Sequence, residues 1–153
     1  MKRILFTLLL FGTLFVNSQV VFNTGNAEFD ADLNIINSRG THDFVSFRQD
    51  LSVSFGISVK KIDYMRTQLS MVPGEIYLSL EIARIARKPI DDILVVYKKE
   101  GAKGWGHIAK QVGIKPGSAE FHQMKNSAST KKKVAKGSDG RKGKKVAKKT
   151  KIS

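Results

Sequence analysis

The chain has no cysteine. That removes disulfides, thiolate metal sites, a cysteine nucleophile and a lipidated N-terminal cysteine, and it ties the fold to no redox compartment. It has no HExxH, no serine nucleophile elbow, no GxGxxG and no Gly-Lys-Ser/Thr phosphate loop, so the common hydrolytic and nucleotide-binding signatures are missing. Histidine occurs only at His42, His107 and His122. None of their spacings puts two on one helical face, as a local metal site would need. No metal and no cofactor is expected, and no catalytic residue is assigned. Long apolar runs are also absent. The longest, Ile4–Val16, would span roughly 20 Å as a helix against a hydrocarbon core of about 30 Å.

That short run has a different use. Lys2 and Arg3 precede it, and Val16 and Ser18 suit the −3 and −1 positions of a cut before Gln19. Residues 1–18 therefore read as a secretory signal, and the chain is expected to be exported, to the periplasm or beyond. Residues 19–42 read as a lead-in, partly disordered. Within it Phe29–Asn37 fits two periods: Phe29, Ala31, Leu33 and Ile35 alternate like a strand, while Phe29, Leu33 and Ile36 fit a helix. No second convincing strand is available to pair with it, so a short helix or an extended lead-in is the more economical reading.

From residue 43 the helical period dominates. Phe44, Phe47, Leu51 and Phe55 form one stripe, with Asp43 or Thr41 as cap and Gly56 as stop. Ser58 can cap a helix carrying Val59, Ile62, Met65 and Leu69. Pro73 suits a first helical position, followed by Leu78, Ile82, Ile85 and Ala86, with Ile76 and Leu80 widening the apolar face. Pro89 opens a further helix. Asp91 and Asp92 sit in its first turn, where the helix dipole accounts for both, and Ile90, Ile93, Leu94 and Tyr97 face inward. Trp105, Ile108, Ala109 and Val112 make a short helix that Gly113 stops in the left-handed conformation, with Ile114 as the accompanying apolar contact. Ser118 can cap a last helix, 119–125, with Phe121 and Met124 inward. The fold class is all-α: five to six short helices in one small bundle over residues 43–125.

Residues 126–153 hold eleven Lys or Arg against Asp139 alone, a net +10, whereas residues 19–125 hold 14 basic and 12 acidic side chains, a net +2. The tail lacks aromatics and repeats KKVAK around GSDGRKG. Such a segment cannot bury enough surface to offset chain entropy, so it is expected to be a disordered polycation. Its cations Lys131, Lys132, Lys133, Lys136, Arg141, Lys142, Lys144, Lys145, Lys148, Lys149 and Lys151 would attract an anionic polymer or an anionic membrane surface by releasing condensed counterions, with steep salt dependence and little sequence preference. The competing reading is a solvated tail without a defined partner. In that case a groove near Trp105, with His107 and Lys110, would bind a protein or a glycan.

Trp105–Lys115 also reproduces the first helix and turn glycine of a helix-turn-helix, with Ala109 four before Gly113. The match fails beyond it. Pro116-Gly117 falls at the front of the would-be recognition helix and His122 stands where a buried aliphatic belongs.

GWGHIAKQVGIKPGSAEFHQMK (Gly104–Lys125) resembles a motif, GWGxIAKxxGIKPGSxxFHxLK, found near the C-terminus of a family of small uncharacterised exported bacterial proteins. The resemblance extends to RKPIDDILVVYKKEGAKGWG and more loosely to FVSFRQDLSVSFGIS, with Met124 in place of the usual leucine. It implies a signal peptide followed by a mostly helical domain, and no activity, cofactor or catalytic residue. The lysine-rich extension varies among the relatives, so its role does not transfer to them.

Overall fold

In the computed structural model, residues 19–144 are described, with side chains over 19–134; residues 1–18, on which the expected secretory signal falls, and residues 145–153 lie outside them. The elements run α1 (Ala27–His42), α2 (Phe44–Phe55), α3 (Val59–Thr67), α4 (Pro73–Ala86), α5 (Ile90–Glu100), a 3-10 turn (Gly101–Lys103), α6 (Trp105–Gln111) and α7 (Ala119–Lys144), with no strand among the described residues. The all-α expectation holds, with seven helices where five or six were expected.

Most boundaries follow from local chemistry. Asp43 and Ser58 accept from the amides of Ser46 and Lys61, which the first turns of α2 and α3 leave without helical partners. Gly56 (φ 62°) and Gly113 (φ 101°) stop α2 and α6 in the left-handed region. The Ser118 hydroxyl accepts from Phe121 N at 3.2 Å. At α4 the cap differs from the sequence pattern. The N-cap residue, Val72, offers no side-chain acceptor; instead the Glu75 carboxylate accepts from Val72 N at 3.0 Å.

Helix α4 is the centre of the bundle. Ten of its fourteen residues are buried, including Ser79 and Glu81, and α1, α2, α3, α5 and α7 all pack on it. A helix apolar on nearly every side has to be enclosed by others. The expected inward residues of the neighbours are where their spacing put them: Phe47 and Leu51, Ile62 and Met65, Ile93 and Leu94, Ile108 and Val112, Phe121 and Met124.

Two expectations are corrected. The lead-in is not loose: 27–42 is the sixteen-residue α1, capped by Asn26, and Phe29, Leu33 and Ile36 are at most 2% exposed. Even the segment before it is held. Asn34 clamps Val20 through both backbone groups at 3.0 Å, and the carbonyls of Phe22 and Asn23 accept from Trp105 N and Gly106 N, the orphan donors of α6.

The second correction concerns the tail. The last helix does not end at Lys125 but runs on to Lys144. Ala128 is 0% exposed, and the Arg39 guanidinium donates to the Lys132 carbonyl at 2.7 Å. Small residues let this stretch approach α1, so it docks without the large apolar side chains whose absence argued for disorder. Residues 126–132 are thus part of the folded body.

The closest approach is between α1 and α4 at Gly40, where an added Cβ would lie 2.4 Å from Pro73 Cβ and 3.1 Å from the Phe47 ring. Gly40→Ala should destabilise by about 2 kcal/mol in urea unfolding, despite alanine's better helix propensity, because the packed backbones must separate. Gly101→Ala is the control. Its Cβ would meet Tyr97 at 3.6 Å, an ordinary contact, so its effect should stay within about 0.5 kcal/mol.

Candidate functional site

Trp105 does not form a surface site. It is 3% exposed, stacks on Tyr97 with centroids 5.4 Å apart, and donates its indole N–H to Glu75 Oε1 at 3.3 Å. The other oxygen of Glu75 accepts from Val72 N and, at 3.5 Å, from the Tyr97 hydroxyl. One carboxylate thus ties the first turn of α4 to α5 and α6. Burial, and then the neighbouring Glu75 charge and its hydrogen bond, push the Tyr97 pKa up to about 12.

His107 and Lys110 lie outside this cluster. His107 sits 3.3 Å from Glu100, which also holds Lys103 at 2.6 Å. The Lys103 hydrogen bond is the main cause of a Glu100 pKa below the ordinary carboxylate value, with His107 adding less. Lys110 is exposed. The three residues proposed as one face therefore belong to a core stack, an ion-pair cluster and solvent.

The lysines of the C-terminal segment divide in two. Lys131 pairs with Asp50 and Lys132 with Asp32, so two of the expected polyanion ligands are engaged by the body. Lys133 is exposed, Lys136, Arg141, Lys142 and Lys144 fall on the continuing helix, and Lys145, Lys148, Lys149 and Lys151 lie beyond the described residues. The helix-turn-helix reading fares poorly. The front of α7 presents Glu120, its pKa lowered by its own backbone amide and by Ser118, and then the buried Phe121, where groups reaching base edges are required.

The sequence did not reveal a groove of about 850 Å³ bounded by α2, α4 and α7. Its floor is Tyr77, with the Phe55 ring edge-on at 6.1 Å. Glu81, 2% exposed, accepts from the guanidinium of Arg84, which also reaches Ser127 Oγ at 3.3 Å. Its hydrogen bond to Glu81 raises the Arg84 pKa. Burial, and secondarily the Glu81 charge, raise that of Tyr77 well above the ordinary tyrosine value. Along α7 the rim carries His122, Asn126 and Thr130. No hydroxyl of this groove is hydrogen-bonded to a histidine or a carboxylate among the described residues. Its parts come from residues 50–134, and no local spacing announces them. The described residues contain no group of three or more His, Asp or Glu able to hold a metal ion, and no described helix is long and apolar enough to cross a membrane.

The chain matches no family profile, no curated protein and no solved structure.

Glu75→Ala should lower stability by about 2 kcal/mol, because Val72 N and the Trp105 indole lose their acceptor. The sole tryptophan provides the readout: its fluorescence should change with the substitution, and Glu75→Gln, which keeps an acceptor, should restore part of both. Tyr97 also sets an alkaline limit. Its folded pKa lies above the ordinary value of 10, so the stability it contributes is complete below pH ~10 and is lost as pH rises toward ~12. Urea midpoints measured from pH 8 to 12 should fall over that window, and less so in Tyr97→Phe.

Proposed function

We propose that this is an exported, non-enzymatic helical interaction protein that attaches to anionic polymers or an anionic membrane surface through the cations beyond Lys132. It is read as a relative of the small exported bacterial proteins that Gly104–Lys125 resembles, released by a cut before Gln19. The observation that carries the reading is the partition of charge along α7. Lys131 and Lys132 are neutralised by Asp50 and Asp32. From Lys133 onward nine Lys or Arg face only Asp139, leaving +8. A run of nine cations with one acidic residue among them binds polyanions by counterion release, and lysine's compact charge favours diffuse attraction over bidentate recognition. The ordered docking of residues 126–132 narrows the expected attachment segment to the nine cations from Lys133 onward.

The test is retention of the mature chain on heparin–agarose and on phosphatidylglycerol vesicles across a salt series. Retention should fall steeply with salt. It should disappear when Lys133, Lys136, Lys142, Lys144, Lys145, Lys148, Lys149 and Lys151 are replaced by glutamine. Unchanged salt-sensitive retention in that variant overturns the reading. Lys132→Gln should behave oppositely, leaving retention nearly intact while costing about 1–2 kcal/mol of stability, since Asp32 keeps its burial but loses its counter-ion.

A further inference from the structure

We infer that the groove between α2, α4 and α7 is a binding site for a neutral oligosaccharide, separate from the lysine segment and independent of its role. The first observation is Tyr77. It is 3% exposed and lines the groove, and its hydroxyl has no hydrogen-bond partner among the described residues. Its oxygen is not among the sealed, unpartnered polar atoms, so the small part of Tyr77 that remains accessible includes it. A buried side chain that leaves its one polar atom open to a groove is poised for a partner from outside. Burial raises the phenol pKa, so the group stays protonated and able to donate.

The second observation is charge. The groove contains two cations and two carboxylates, and each is already matched: Arg84 with Glu81 and Lys131 with Asp50. The formal charges of the lining itself therefore cancel. What remains is the edges of these ion pairs, together with amide and hydroxyl groups at Asn126, Ser127 and Thr130. Such a set presents donors and acceptors side by side, as vicinal sugar hydroxyls require, since each of those both donates and accepts. The half-buried Phe55 supplies the apolar surface against which the C–H face of a sugar ring packs.

The third observation is size. The rim follows α7 from Ala119 to Val134, roughly 22 Å at 1.5 Å per residue. That length suits several linked sugars rather than one. The polyanion segment begins where this rim ends, so the two activities would occupy successive parts of one helix.

The experiment is an amide chemical-shift titration of the full mature chain with maltohexaose and with N-acetylchitotriose, each to about 20 mM, a range that reaches weak sites. Saturable shifts should cluster at Phe55, Asn126 and Thr130 for at least one of the two. Tyr77→Phe removes only the hydroxyl, so it should leave the melting temperature unchanged and weaken binding about fivefold, the worth of one neutral hydrogen bond. The exposed Asn126→Ala is a second variant, expected to weaken binding similarly. Three results overturn the proposal: no saturable shift with either saccharide, equal affinity in Tyr77→Phe and the parent, or shifts at these amides with a heparin hexasaccharide alone. A concentration-dependent dimer that broadens the same amides would also overturn it, by assigning the groove to a second copy. Retention on heparin–agarose should be untouched by both substitutions, which separates failure here from failure of the lysine-attachment reading.

Discussion

Helix α1 crosses α4 at a point where the two backbones leave no room for a methyl group. Gly40 lies against Pro73, and Gly74, one residue further along α4, faces Phe22 and the Leu33 carbonyl with no more space. This close approach brings Phe29, Leu33 and Ile36 onto α4 and encloses a helix that could not stand exposed. It also creates the platform for α7. The Phe121 ring meets Phe29 edge-on at 6.1 Å, Ala128 packs without exposure, and Asp32 receives Lys132. Separate the two helices, and both the floor under α7 and the groove beside it lose their shape.

Electrostatics follows from that geometry. The buried Asp32 on α1 is balanced by the incoming Lys132 of α7, while the exposed Asp50 and Glu28 pair with Lys131 and Lys125 at the surface. The body thus consumes the first part of the basic segment as structure. The groove is neutral for a related reason: its cations arrive already paired. Two surfaces of different character result on one helix, a neutral polar rim and then a cationic extension.

Much of this could be read from residue order. Helical spacing from Phe44 onward found the inward faces of α2 to α6, because a single amphipathic stripe is recorded locally at three- and four-residue steps. The caps at Asp43, Ser58, Gly113 and Ser118 were legible for the same reason. Helix α1 was ambiguous because Asp30, Asp32 and Asn34 interrupt its apolar residues at strand spacing, and Asp32 is buried only because Lys132, a hundred residues away, reaches it. The docking of 126–132 was illegible because it rests on small residues and lysine stems, which carry no hydrophobic signal. Trp105 was misleading as a surface marker; its partner Glu75 lies thirty residues away.

Sequence alone determined the helical class, the glycine stops at Gly56 and Gly113 and the concentration of positive charge at the C-terminal end, since each depends on neighbours within a turn or two, or on composition. Tertiary structure alone decided which charges remain available and where a ligand could sit. Pairing and concavity depend on distances between residues far apart in the chain, and those distances exist only once α1, α2 and α7 have closed around α4.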